Sequence, residues 1–160
     1  IIVDLEELYK FKGMFSLRKN PRLKKYEAVV DGVDIDIYVP HYSKLALPVK
    51  FIIKESTMFE GFDVCKPEVL LILKQQAEFA RKDSEKGLKD RIDIMGLLIK
   101  TDFDFAKYLN IVKEFHLEHF RKRLIEIVSS FREYSYLNMS WQKLRKERQK
   151  ILSNIKSASE

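Results

Sequence analysis

Asp31-Gly32 separates two β-prone runs, residues 26–30 and 33–39, and no other feature limits the chain as strongly. Both residues of a two-residue hairpin turn take positive φ, which Asp tolerates and Gly adopts freely, so the two runs are expected to pair antiparallel. Alternation then sets Val33, Ile35, Ile37 and Val39 on one face of the second strand and Asp34, Asp36 and Tyr38 on the other. One face is built for a core; the other carries carboxylates.

Before the hairpin, residues 1–3 read as strand and Asp4 as the N-cap of a short helix with Leu5, Leu8 and Phe11 on one face, ended by Gly13. Residues 18–25 hold five basic side chains and no acid, and read as a loop that is either solvated or phosphate-facing. After Pro40, residues 49–53 read as a strand and 58–64 as a Gly-centred turn with a short strand. Pro67 then opens a helix whose buried face is expected at Leu70, Leu73, Ala77 and Ala80. A second helix, 88–100, turns Ile92, Met95 and Ile99 inward. The last third reads as helix throughout: Phe105, Leu109 and Val112, then Phe120, Leu124, Ile127, Phe131 and Tyr134, then Leu144, Ile151 and Ile155. The expected class is α+β, with a small mixed sheet in a core over residues 1–100 and a helical bundle over 101–160.

Composition excludes several classes. A 160-residue chain with 46% hydrophobic and 34% charged residues is neither disordered nor fibrous. The longest apolar run, Val69 to Leu73, is too short to cross a bilayer, so no membrane partner is expected. One cysteine, Cys65, leaves no disulfide framework within the chain. With no signal peptide in view, a cytoplasmic location is expected. The net charge of +6 suits a polyanionic partner, and residues 141–160 alone hold six basic side chains against two acidic.

No nucleophile elbow, zincin motif, Walker loop or dinucleotide fingerprint occurs. His116 and His119 stand three apart, a spacing that could pinch a metal on a helix, with no third ligand nearby. Two constellations remain. Asp34 and Asp36 are like charges on one strand face, a repulsion that a divalent cation would remove. Lys74 and Arg81 lie two turns apart on one helix, and Asp90 and Asp93 three apart on the next. They form either a salt-bridged surface or a cationic wall for triphosphate, positioned by acidic partners.

The run Pro67-Glu68-Val69-Leu70-Leu71-Ile72-Leu73-Lys74, then Ala77, Arg81, Lys86, Lys89-Asp90 and Asp93-Ile94-Met95-Gly96-Leu97-Leu98, resembles the nucleotidyltransferase-like family that includes the AbiEii-type toxins. The strand Val33-Asp34-Ile35-Asp36-Ile37 resembles the one that carries the third metal-site carboxylate in that polymerase-β-like fold. The similarity spans about residues 1–100. It implies transfer of a nucleoside monophosphate from an NTP to an acceptor hydroxyl with Mg²⁺. Asp36, with Asp34 as its close rival, would be the metal-site carboxylate. Lys74 and Arg81 would face phosphate or acceptor, and Asp90 and Asp93 would position those cations or the acceptor.

The family's Gly-Ser turn and Asp-x-Asp pair have no counterpart in a suitable place, and Ile1-Ile2-Val3-Asp4 looks like what usually follows that pair. An upstream portion is therefore expected, and without it this stretch is expected to be inactive. The alternative is a non-catalytic relic whose basic helix over 141–156 binds RNA, tRNA or a protein.

Overall fold

A computed structural model describes residues 1–158, which fall into two compact units, Ile1–Cys65 and the chain from Lys66 onward. The division lies well before residue 100, and the helices that carry Lys74 and Asp93 belong to the same unit as the C-terminal helices.

In the first unit Asp4 starts helix α1 (Leu5–Met14) with a reciprocal cap: its Oδ1 accepts from the Glu7 N–H at 2.8 Å, and Glu7 Oε2 accepts from the Asp4 N–H at 3.1 Å. Gly13 lies inside α1, which ends instead where the Phe15 N–H donates to the Phe11 carbonyl. Strands β1 (Arg18–Asn20), β2 (Lys25–Val30) and β3 (Val33–Ile37) follow, and pair antiparallel in that order. The turn has φ of 51° at Asp31 and 79° at Gly32, the geometry that Asp-Gly predicts.

The sheet is antiparallel rather than mixed. Among the described residues the parallel element is one bridge, Ile2 to Tyr38, in which the Val3 N–H donates to the Tyr38 carbonyl at 3.1 Å and the Tyr38 N–H to the Ile1 carbonyl at 2.9 Å. Val3, Leu8, Ile37 and Val39 form one core cluster of this unit, ringed by Phe11, Tyr26, Ile35 and Tyr42. Val33, next to the turn, stays 61% exposed, so the apolar face closes only toward the far end of β3.

Residues 49–53, expected as a strand, fold as helix α2 (Val49–Lys54). The Pro48 carbonyl accepts from the Phe51 and Ile52 N–H groups, and Val49 and Ile52, three apart, become one buried face. Burial at helical spacing overrides the β propensity of Val and Ile. Strands β4 (Ser56–Phe59) and β5 (Phe62–Cys65) close the unit as a hairpin turned by Glu60 and Gly61, both with positive φ.

The second unit is helical. It comprises α3 (Pro67–Arg81), α4 (Glu85–Lys100), α5 (Phe105–Glu114), α6 (Glu118–Ser130), a single 3₁₀ turn (Tyr134–Leu137) and α7 (Trp141–Ser157). Pro67 occupies the first turn of α3, while the side chains of Ser84, Asp104 and Ser140 cap α4, α5 and α7. The stripe Phe120, Leu124, Ile127 and Phe131 is buried as its spacing predicts, and so are Leu144, Ile151 and Ile155 of α7. Tyr134 lies outside the stripe and is 43% exposed. In α3 the buried face is Glu68, Val69, Leu71, Ile72, Gln75 and Glu78, not the Leu70–Leu73–Ala77–Ala80 stripe. Among the described residues no helix is long and apolar enough to cross a membrane.

The two glycines of α4 differ in what surrounds them. A Cβ on Gly87 would meet the Arg81 carbonyl oxygen at 2.3 Å and that of Lys82 at 2.9 Å, whereas one on Gly96 would meet only the Leu137 Cδ2 at 4.0 Å. Gly87→Ala should therefore destabilise the protein by about 2 kcal/mol through overpacking against backbone. Gly96→Ala should be neutral or stabilising by up to about 1 kcal/mol, because alanine favours helix. Urea denaturation of both variants checks the contrast.

Candidate functional site

The carboxylate-bearing face of the sheet is an ion-pair ladder. The register places Arg18 opposite Glu27 and Glu27 opposite Asp36, so the three side chains stand in line across β1, β2 and β3. Arg18 Nη2 donates to Glu27 Oε2 at 2.6 Å, and Asn20 Nδ2 donates to Glu27 Oε1 at 2.8 Å. Lys25 Nζ lies 3.2 Å from Glu27 Oε1 and 2.5 Å from Asp36 Oδ1. Asn20, Arg18 and Lys25 together hold the Glu27 carboxyl down at about 2. Burial pulls the Lys25 ammonium down, but hydrogen bonds to Asp36 and Glu27 outweigh it and raise its pKa. Asp34, two pairs nearer the turn and opposite Val29, is exposed.

This geometry answers the repulsion between Asp34 and Asp36 without a metal, because Lys25 already neutralises Asp36. Among the described residues no group of three or more His, Cys, Asp or Glu side chains could hold a metal ion. Two aspartates, one of them bound to an ammonium, do not fit Mg²⁺ by themselves. His116 lies in the left-handed region, φ 56°, in the link between α5 and α6, so it does not share a helix with His119. His119 instead sets its ring against Phe79 and Phe120.

The second ladder joins α3 and α4. Lys74 Nζ donates to Asp93 Oδ2 at 2.6 Å. Arg81 grips Asp90 with two bonds, Nε to Oδ2 at 2.7 Å and Nη2 to Oδ1 at 2.9 Å. The four residues singled out in the sequence thus meet as two pairs. Asp90 is buried and Arg81 partly exposed, while Lys74 and Asp93 both reach solvent.

Between the two pairs lies Glu78, with no exposed side-chain surface. It accepts from Arg91 Nη1 at 3.1 Å and from Arg123 Nη2 and Nε at 2.6 and 3.0 Å. Burial pushes the Glu78 carboxyl up, and the hydrogen bonds from Arg123 and Arg91 outweigh it, so its pKa stays below the usual range. Beside Lys74 and Asp93 opens a cleft of about 480 Å³ between α3, α4 and the 3₁₀ turn, lined also by Lys100, Thr101 and Tyr136.

The basic C-terminal helix is used in part structurally. Arg148 of α7 donates from Nε to the Val128 carbonyl at 2.7 Å and from Nη2 to that of Ser129. Arg132 donates to the carbonyls of Phe131 and Ser129 at 3.0 and 3.3 Å. Both satisfy the end of α6, whose last turn has no basic residue of its own, and both lie over the Trp141 ring. Lys143, Arg145, Lys146, Lys150 and Lys156 remain exposed.

Sequence reasoning missed Glu27 and Lys25, although the two-residue turn implies the 27–36 pairing by counting outward from Asp31-Gly32. It also placed Glu78 with Lys74 and Arg81 on the polar side of the helix, and missed its burial and its bonds to Arg123, 45 residues away, which no local pattern joins. Comparison of the chain with protein-family models, with curated proteins and with solved structures returns no match.

Glu27 makes the sheet's acid response testable. Its carboxyl, held at about 2 against an ordinary 4.5, contributes stability that is fully present above about pH 4.5 and lost as pH falls through about 2. The stability difference between the wild type and Glu27→Gln should be widest above pH 4.5 and should narrow below it. Thermal unfolding across that range measures the difference.

Proposed function

We propose that this chain is a nucleotidyltransferase-like protein that handles a nucleoside triphosphate through the Lys74 side of α3 and α4. In the reaction implied, an acceptor hydroxyl oxygen attacks the α-phosphorus, the bond to the β-phosphate oxygen breaks, and pyrophosphate leaves. The observation that carries this reading is the pairing of Lys74 with Asp93 at 2.6 Å on the rim of an open cleft that Lys100 also lines. An ammonium oriented by one carboxylate oxygen keeps donors for a phosphate, and a second lysine adds charge beside it. Arg81 and Asp90 brace the same helix pair. Mg²⁺ belongs to the implied chemistry, but Asp34 and Asp36, one of them held by Lys25, do not fit it by themselves.

A second reading has its own support. Asp36, Arg81 and Asp90 are each engaged by a partner inside their own unit, as structural charges are. On that reading the chain is a non-catalytic interaction module, and the exposed basic side chains of α7 meet RNA, tRNA or an acidic partner protein.

Lys74→Ala separates the two. The Lys74–Asp93 pair is partly exposed, and such pairs contribute about 0–1 kcal/mol, so the melting temperature should barely move while ATP or GTP affinity falls about tenfold. Arg81→Ala is a poorer probe, since it strands the buried Asp90 carboxylate and should destabilise by about 2 kcal/mol. Nucleotide affinity by fluorescence titration, with a melting curve for each variant, gives the answer. Wild-type nucleotide affinity in Lys74→Ala would remove the enzyme reading and leave the interaction module.

A further inference from the structure

We infer that the first unit carries a binding surface for a single-stranded nucleic acid, built from Lys12, Lys19, Arg22 and Lys24 with Tyr9, Tyr26 and Tyr42. This inference is independent of the nucleotide site on α3 and α4. The five basic residues of the 18–25 segment divide into two kinds. Arg18 and Lys25 are consumed by Glu27 and Asp36 on the sheet's open face. Lys19, Arg22 and Lys24, joined by Lys12 from the last turn of α1, form no ion pair among the described residues.

Aromatic rings hold three of these cations instead. The Lys12 ammonium lies 5.6 Å from the centroids of both Tyr9 and Tyr26, and Lys19 and Lys24 lie 4.6 and 5.6 Å from that of Tyr42. Tyr26 and Tyr42 are themselves in ring contact at 5.5 Å, so the cations are gathered around one aromatic pair. A cation–π contact orients an ammonium without neutralising it, so the positive field of the group persists.

The turn between β1 and β2 is also built rather than loose. The Asn20 side chain accepts from the Leu23 N–H at 3.0 Å and donates to Glu27, and the Asn20 carbonyl accepts from the Tyr42 hydroxyl at 3.1 Å. Arg22 and Lys24 therefore project from a turn tied to β2 and to the loop after β3. Arg22 and Lys24 on this fixed turn, Lys19 on β1 and Lys12 on α1 are like charges that repel one another, and an extended row of phosphates relieves that repulsion.

The aromatic component selects the class of polyanion. Tyr9 is 71% exposed beside Lys12, a ring on which an unpaired base can stack while its phosphate meets the lysine. A duplex keeps its bases stacked inside and cannot use that ring. A peptide of acidic residues alone, such as polyglutamate, has no ring to lay on it.

The test uses the whole chain and a fluorescently labelled oligouridine, with binding followed by anisotropy against salt concentration. The triple variant Lys19→Gln/Arg22→Gln/Lys24→Gln should weaken binding at least tenfold. It should also flatten the log–log salt slope by about 2, since each lost single-strand phosphate contact removes about 0.7. Tyr9→Ala should weaken oligouridine binding severalfold with the slope unchanged. Lys50→Gln/Lys54→Gln, which removes exposed charge from the same unit outside the patch, should leave both quantities as in the wild type. Circular dichroism establishes that each variant is folded.

Absence of oligouridine binding by the wild type overturns the proposal. So does an unchanged slope in a folded triple variant, or an equal loss per charge in the Lys50/Lys54 control. Polyglutamate bound as tightly as oligouridine would make the surface a protein-docking site and would overturn it as well.

Discussion

Glu78 is the point on which the helical unit turns. A carboxylate with no exposed surface is costly to bury, and it is tolerated because Arg91 and Arg123 supply three charge-assisted hydrogen bonds. Those bonds tie α3 to α4 and to α6, so one side chain fixes the mutual setting of three helices. Gln75, one turn earlier on α3, acts in the same way at a neutral site. Its Nε2 donates to the Phe120 carbonyl at 2.8 Å, and its Oε1 accepts from the buried Tyr108 hydroxyl at 2.9 Å. Glu68 completes the row by accepting from the Asp104 N–H at 3.0 Å, at the start of α5. The inward face of α3 is thus a polar seam laid between Val69, Leu71 and Ile72. It specifies which helix lies where, a task that apolar contacts alone perform with less discrimination.

The seam explains why some of the chain was readable from sequence and some was not. Asp31-Gly32 announced the hairpin because a two-residue turn needs positive φ and few residues supply it. The stripe of α6 was legible because all four of its core positions are apolar. In α3, by contrast, a search for apolar periodicity passes over Glu68, Gln75 and Glu78, which are buried, and settles on Ala80, which is exposed. Residues 49–53 failed for the opposite reason. Their β-branched side chains favour strand locally, and the burial of Val49 and Ile52 on one face decides for helix.

The candidate site was legible to the same uneven degree. Lys74, Arg81, Asp90 and Asp93 were found as charges at helical spacing, and the structure joins them in pairs across α3 and α4. What the spacing lacked was their difference in burial. Asp90 is nearly closed to solvent and its pair is a clamp; Lys74 and Asp93 are open and face a cleft. On the sheet, Asp34 and Asp36 were recognised as an unusual pair of like charges, but the remedy for their repulsion lay on the neighbouring strand. Lys25, eleven residues from Asp36, neutralises it.

A distinction between spent and unspent charge therefore organises the molecule better than net charge does. Lys25, Arg91 and Arg123 each face a carboxylate, and Arg132 and Arg148 close the carbonyl end of α6; their charge is committed to the fold. Lys12, Lys19 and Lys24 are held by tyrosine rings, and Lys143, Lys146 and Lys150 stand exposed along α7. A cation–π contact contributes only about 0.5–1 kcal/mol at an exposed site and leaves the charge in place, so the mutual repulsion of these cations still opposes compaction. The single-stranded polyanion proposed above would relieve that repulsion. Lys74 and Arg81 both face a carboxylate, but Arg81 is gripped by two bonds to the buried Asp90, whereas Lys74 is bonded to one oxygen of the exposed Asp93. Lys74 keeps donors to spare on the rim of an open cleft, and so the chemistry of this chain is best sought there.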